Sequence, residues 1–534
     1  MRGLCVFLAV SLGVFLAHCR DGKTVSPEAT RPRQDASEPR FLSAGRELRF
    51  ASYYGAGMVL QRAPERAVVW GYGGRKAPVL LTLAGPQGRG IYNSSVADGI
   101  WRVMLDPVDA GGPYNITVTQ EGSSSSVTLT DVLFGDIWLC GGQSNMAFTV
   151  AQLLNASEEL AQASKFPSVR IFMVALEQSD EEMTDLTVEV PWSVPTAALL
   201  GEGNFTHFSA VCWLFGRYLF KSLQYPIGLV QSCWGGTPVE AWSSSRVIQH
   251  CGVKDSMDSA GPIQKSVLWN AMIHPLLNMT LKGAIWYQGE ANSAYNRDKY
   301  NCTFPSMIDD WRTAFHSGSG NQTASDFPFG FVQLSTWKKN AADGFPEIRW
   351  HQTADYGFAP NERMKHTFMA VALDLPDAES PWGSIHPRFK QDAAYRLMLG
   401  ARAVAYGEKG ISFQGPYPIS VNTTNTTHLV ITYNQDISAT QSENIFEICC
   451  SKEPCGYDSS WTHVPMMPQG PTTVTVLVGK CPMRDVSSLR YAWTDWPCDF
   501  KACPIYSADR VLPAPPFIWD PRILKKSLNI IKHV

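Results

Sequence analysis

The run Asp131-Val-Leu-Phe-Gly-Asp-Ile-Trp-Leu-Cys-Gly-Gly-Gln-Ser-Asn-Met146 reads as a buried strand, Val132–Leu139, that ends in a glycine pair and delivers a serine into a turn. Two glycines permit a tight bend and a close approach of another molecule to the backbone. A helical stretch is predicted from Ala147, which puts Ser144 at a helix N-terminus. Unpaired N–H groups there favour developing negative charge. The tetrahedral intermediate of ester cleavage carries such a charge on oxygen. An ordinary helix-capping serine is the competing reading. The motif is not a GxSxG elbow, because Met146 stands where the second glycine would be.

Outward from this run the same texture repeats. Strand candidates Val169–Val174, Ile227–Gln231, Gly283–Tyr287, Phe329–Leu334 and Thr367–Leu373 alternate with helix candidates Ala210–Leu223, Val267–Leu277, Phe304–Phe315 and Arg388–Gly407. Such alternation predicts an α/β fold, a three-layer domain with a mostly parallel sheet covered on both faces. In that architecture active residues gather at the carboxyl ends of strands. We place this domain at residues 129–409.

On either side the pattern is of short strands between Gly/Pro breaks. Ala67–Trp70, Val79–Leu83, Trp101–Leu105 and Tyr114–Val118 predict a small β-sandwich over residues 47–128. His428–Tyr433, Ile445–Ile448, Thr473–Val478 and Leu489–Trp493 predict a β-rich module over residues 410–534, with Leu512-Pro-Ala-Pro-Pro-Phe517 as a surface strap.

Arg2, the apolar Leu4–Ala17 and Ala17-His-Cys19 read as a signal peptide over residues 1–19, too short an apolar run for a membrane span. A polar lead-in follows over residues 20–46. Sequons at Asn93, Asn115, Asn155, Asn204, Asn278, Asn301, Asn321, Asn422 and Asn425 fit glycosylation in the secretory pathway, with a lysosomal or secreted destination. Thirteen cysteines then read as disulfide formers, six of them crowded between Cys449 and Cys503. Cleavage after Cys19 leaves an odd number, so one thiol stays unpaired or bonds another chain. Without paired CxxC units, a zinc site is disfavoured. A formal net charge of −3 with no basic run argues against nucleic-acid binding.

Two later strand ends resemble the first. Leu229-Val-Gln-Ser-Cys-Trp-Gly-Gly-Thr-Pro238 again meets a glycine pair, and Ile285-Trp-Tyr-Gln-Gly-Glu-Ala-Asn292 ends in amide and acid side chains. Gly235 or Gly236 could offer a backbone N–H to an oxyanion, and Gln288 or Asn292 a side-chain amide; ordinary loop hydrogen bonding is the alternative for both. A serine nucleophile needs a base, for which histidine is suited by its ordinary pKa of ~6.5. Of eleven histidines, His386 lies between a strand end near Asp374 and a helix that Pro387 opens. His351 and His366 are weaker rivals.

Taken in order, Gly-Gln-Ser144-Asn, Trp234-Gly-Gly236, Trp286-Tyr-Gln-Gly-Glu-Ala-Asn292 and Ile385-His386-Pro387 resemble the SGNH-type carbohydrate esterases. Wider stretches, including Ala241-Trp-Ser-Ser-Ser245 and Ser266-Val-Leu-Trp-Asn-Ala-Met-Ile-His-Pro275, are similar to the sialate O-acetylesterase family, from about Phe50 through Phe517. The resemblance implies Ser144 as nucleophile and His386 as base, with Ser144 N–H, Gly235 or Gly236 N–H and Gln288 as the oxyanion hole. Asn145, Trp234, Glu290 and Asn292 are then expected to bind substrate. It further implies O-acetylated sialic acids, free or on glycoconjugates, as substrate, with no cofactor or metal. An acetylesterase for another carbohydrate, or an inactive glycan-binding protein, is the alternative. These esterases commonly place Asp three residues before the histidine, where this chain has Gly383. Asp374, Asp377 or a backbone carbonyl is left to orient the ring, and Arg246, Arg349 or Arg388 to meet the substrate carboxylate.

Overall fold

Strand β1, Ser126–Gly142, organises the computed structural model. It is 17 residues long, and its two halves serve different sheets. The amino half pairs antiparallel with Gly111–Gln120, which in turn pairs with Val79–Gly85 and, beyond it, Gly88–Ser94. A three-stranded sheet of Arg49–Phe50, Val68–Tyr72 and Ile100–Met104 completes the N-terminal β region. Position 128/129, taken as a domain boundary from the sequence, falls inside β1, which crosses it unbroken.

The described residues are 47–74, 77–122, 126–254, 261–424 and 427–520, within one compact unit, Gly45–Val534. The expected signal peptide and lead-in, and the sequon at Asn425, lie outside them.

The carboxyl half of β1 is the centre of a mixed sheet. With β2 (Val169–Val174), β3 (Val188–Ser193), β4 (Ile227–Cys233), β5 (Gly283–Tyr287), β6 (Phe329–Gln333) and β7 (Thr367–Val371), the order is β3-β2-β4-β1-β5-β6-β7. The β3–β2 pair is antiparallel and the other pairs along this path are parallel. Every residue of β2, β4, β5, β6 and β7 is buried. Covering on both faces explains why these strands read as continuous apolar runs.

Register supplies the two faces. Trp138 pairs with Gly283 and Gly141 with Trp286, so the two indoles point to opposite sides of the sheet. Trp138 packs on Phe215 of helix α2 (Ala210–Leu223), and Trp286 on Trp311 of α3 (Tyr300–Gly318). Helix α4, Lys390–Val404, lies beside α2. Two helix expectations change. Helix α1 is a single turn, Ser144–Ala147, and the stretch predicted at Val267–Leu277 forms a π turn, Trp269–Ile273, followed by a 3-10 turn, His274–Leu276.

The C-terminal region is a seven-stranded antiparallel sheet running from Pro418–Thr423 at one edge to Phe517–Trp519 at the other. Disulfides Cys449–Cys455, Cys450–Cys481 and Cys498–Cys503 consume its cysteines. Leu512–Phe517 is not a surface strap: it is buried, and Ala514 N–H donates to the Ile505 carbonyl. Prolines suit this position because they ask for few backbone partners in the interior. Cys140–Cys212 ties β1 to α2, Cys251–Cys302 clips a loop to α3, and Cys233 is a free buried thiol. Among the described residues no helix is long and apolar enough to cross a membrane.

Candidate active site

Parallel register brings three loops together at the carboxyl end of the sheet. Gly142 stands opposite both Cys233 and Tyr287, so the chain leaves β1, β4 and β5 side by side as Gln143-Ser144, Trp234-Gly235 and Gln288-Gly289. Gly142 has φ +141°, and a β-carbon there would sit 2.1 Å from the Tyr287 carbonyl oxygen. Only glycine fits this approach. Gln143, itself buried, accepts the Ala291 N–H on its side-chain oxygen at 3.1 Å and so fastens the serine turn to the β5 loop.

From the loop after β7, His386 reaches the same end of the sheet. Its Nε2 lies 2.9 Å from Ser144 Oγ, and its Nδ1 lies 2.8 Å from the Trp382 carbonyl oxygen. A carbonyl only accepts, so Nδ1 carries the proton and the Nε2 lone pair faces the serine hydroxyl. Both side chains are half-buried. Burial, with help from the Lys390 charge and against the Trp382 hydrogen bond, pulls His386 down to about 4. The imidazole is therefore a neutral base over most of the pH range. Phe205 packs against the ring, with centroids 4.9 Å apart.

The two aspartates expected to orient this ring are engaged elsewhere. Asp374 is wholly buried, forming a two-pronged ion pair with Arg396 and accepting a hydrogen bond from Tyr506. Asp377 grips Arg388 through Nε and Nη2 and accepts its backbone N–H. Asp377 thus holds the histidine loop from behind, and hydrogen bonds to Arg388 keep it below its usual range despite partial burial. Trp382 supplies a carbonyl at the imidazole instead. The turn that aims it needs Gly383, whose φ is +83° and whose carbonyl accepts the His386 N–H at 2.9 Å.

Backbone N–H groups of Ser144, Gly235 and Gly236 have no protein acceptor among the described residues. Gly235 borders the nucleophile: a β-carbon there would be 3.4 Å from Ser144 Cβ. Gly235 and Gly236 are exposed, so a substrate can reach them. With α1 only one turn long, little helix dipole accumulates, and individual N–H groups must do the work. Gln288 does not join them. It is fully buried, its amide donates to the Thr237 carbonyl and Asn292 Oδ1, and its oxygen accepts from Tyr300. Both amide hydrogens are thereby spent.

Three of the four expected substrate-binding side chains also turn inward. Asn292 is buried, accepts from Val239 N–H and Gln288, and donates to Glu240 and Tyr295. Asn145 donates to Glu290 and to the Ile385 carbonyl, and accepts from Lys390 Nζ at 2.6 Å. Both Asn145 and Glu290 are buried. Trp234 alone keeps a half-exposed surface at the rim. Lys390 itself was not legible in any motif; its one sequence signal is its place four residues after His386. The rival histidines pair with carboxylates outside the site, His351 with Asp355 and His366 with Asp326.

Of the arginines, Arg349 is fully buried and donates to four backbone carbonyls, while Arg246 pairs with Asp310. Arg388 stands in the histidine loop. Burial pushes the Cys233 thiol up to about 12, which disfavours a thiolate there.

Comparison with known proteins gives this geometry a context. A sialate O-acetylesterase of Mus musculus is 51% identical over 520 residues, covering 89% of this chain and 95% of that protein. The chain belongs to the sialate O-acetylesterase family. The Homo sapiens member is 51% identical over 492 residues, covering 89% and 93%. The family model described as a carbohydrate esterase, sialic acid-specific acetylesterase, matches residues 134–380, and a sialate O-acetylesterase C-terminal domain model matches residues 419–521. Among solved structures, a carbohydrate acetylesterase from Xanthomonas citri superposes with a TM-score of 0.73 at 28% identity, covering 89% of this chain and 99% of that one. As a member of the sialate O-acetylesterase family the chain is an α/β carboxylic ester hydrolase.

Proposed function

We propose that this enzyme hydrolyses O-acetyl esters of sialic acids to free sialic acid and acetate, with Ser144 as nucleophile and His386 as base and then acid. The 2.9 Å contact between Ser144 Oγ and His386 Nε2, beside the exposed Gly235-Gly236 backbone, carries this reading. The Ser144 proton moves to Nε2 as Oγ bonds to the acetyl carbon, and the carbonyl electrons move onto oxygen. Ser144 N–H and Gly235 N–H, with Gly236 beside them, are the donors for that oxyanion, each worth roughly 3 kcal/mol in the transition state. Collapse breaks the bond to the sugar oxygen, which takes the proton from Nε2 and leaves an acetyl-enzyme. Water, deprotonated by His386, attacks the acyl carbon; acetate leaves and Oγ recovers the proton.

Trp234, half-exposed beside the glycine pair, offers an aromatic surface to a sugar ring. Arg388, whose Nη1 has no protein acceptor among the described residues, is the choice for the sialic acid carboxylate. Five disulfides favour a secretory-pathway protein. Of the described sequons, Asn93, Asn115, Asn155, Asn204, Asn321 and Asn422 are exposed and open to glycans, whereas Asn278 and Asn301 are half-buried.

The test is acetate release from O-acetylated sialic acid beside acetyl-xylan, together with fluorophosphonate labelling, for the wild type, Ser144→Ala and His386→Ala. Release from the sialic acid ester and labelling by the wild type only are expected. Normal release by either variant would overturn the assignment, and preference for acetyl-xylan would overturn the substrate.

A further inference from the structure

Behind the serine and histidine lies a buried polar cluster that the acyl-transfer steps do not use. Lys390 is 1% exposed. Its Nζ donates to Asn145 Oδ1 at 2.6 Å and to the Pro387 carbonyl at 2.7 Å. Asn145 Nδ2 donates in turn to Glu290 Oε1 and, at 2.9 Å, to the Ile385 carbonyl. The residue after the nucleophile is therefore bonded to the residue before His386, and Lys390 to the residue after it. Three strand ends meet here: Asn145 follows β1, Glu290 follows β5 and Lys390 opens the helix after β7.

We infer that Lys390 is a positioning residue for this reaction, its ammonium locking the histidine loop to the nucleophile turn through Asn145. The inference rests on Ser144 and His386 being the reacting pair. In triad enzymes a carboxylate orients the histidine and stabilises its imidazolium. Here a carbonyl orients the ring, and the ammonium–amide–carboxylate cluster fixes the loop on both sides of it. A buried ion of this kind is costly unless paired: burial pulls Lys390 down to about 7 against the pull of Glu290 across Asn145, so the ammonium holds the cluster below that pH. Rings of Phe148 and Tyr287 close over the ammonium at 4.6 and 5.3 Å from their centroids. Asp377, tied to Arg388, is the other charged group acting on it. Lys390 in turn is the positive charge that bears on His386.

The obvious variant, Lys390→Met, leaves Glu290 buried without a counter-charge, so the decisive protein is Lys390→Met combined with Glu290→Gln, which keeps the cluster neutral. Full-length secreted wild type and both variants are compared on p-nitrophenyl acetate across pH, with rates normalised by fluorophosphonate titration of active serine and with thermal melting recorded. For the double variant a kcat loss of about 10²-fold is expected, with KM within about threefold of wild type, as for an interaction that acts through geometry. The acid limb of its pH profile should move to higher pH, because the charge disfavouring imidazolium is gone. A folded double variant with wild-type kcat and an unmoved acid limb would overturn the inference. So would a double variant that cannot fold, since the cluster would then be scaffold alone. A wild type inert toward acetyl esters would instead defeat the catalytic reading itself.

Discussion

Trp382 offers its carbonyl oxygen to His386 Nδ1 at 2.8 Å, where a carboxylate would stand in a charged triad. A neutral dipole fixes the tautomer but stabilises imidazolium less than an anion does. Burial and the Lys390 charge then act together, and His386 falls to about 4. The base works when unprotonated, so activity is present above that value and lost as pH falls through it. The acid limb of kcat/KM should therefore lie near pH 4; a limb between about 6 and 7, the ordinary imidazole range, would contradict the geometry.

Removing Asp374 tests stability and not chemistry. Asp374→Asn strands the buried Arg396 guanidinium, and breaking one side of such a pair costs about 3–5 kcal/mol. Chemical denaturation should show that loss, while kcat per active serine stays close to wild type. A selective loss of kcat would restore Asp374 as an orienting acid.

Gln288 separates a donor from a strut. Gln288→Met takes the donor from the Thr237 carbonyl and the acceptor from the Tyr300 hydroxyl in the interior, at about 1–3 kcal/mol for each buried group left unmade, and leaves Asn292 Oδ1 with Val239 N–H alone. A lower melting temperature is expected, with kcat within about tenfold of wild type. An oxyanion donor would instead cost roughly 10²–10³ in kcat with melting unchanged.

Cys140–Cys212 joins the nucleophile's strand to α2 across a sequence separation of 72. Loop-closure entropy for that length corresponds to about 4 kcal/mol. Replacing both cysteines with alanine should lower the unfolding free energy by that order, and an unchanged value would show that packing alone holds β1.

How far the fold was legible depended on burial. Strands β2, β4, β5 and β7 were readable almost residue for residue because burial on both faces writes them as unbroken apolar runs. The exposed, Gly-bearing strand Gly88–Ser94 carries no such mark and was missed. Ser144 and His386 were legible from their places at strand ends, and they meet. The polar residues around them were misjudged for one reason: a motif shows that an amide or acid is near the site, but not which way it points. Gln288, Asn292, Asn145 and Glu290 all point into the protein and bond one another's loops. Lys390 belongs to no motif, and only three-dimensional contact reveals it.

Strand β1 leaves its mark on how this protein can be taken apart. One strand, bent where Asp131 turns left-handed, begins among the N-terminal ladders and finishes two residues short of the nucleophile. Trimming away the leading β region would strip hydrogen-bonding partners from the very segment that aims Ser144. The described N-terminal β region is accordingly part of what holds the nucleophile's strand in place. It is the stem from which the catalytic sheet grows.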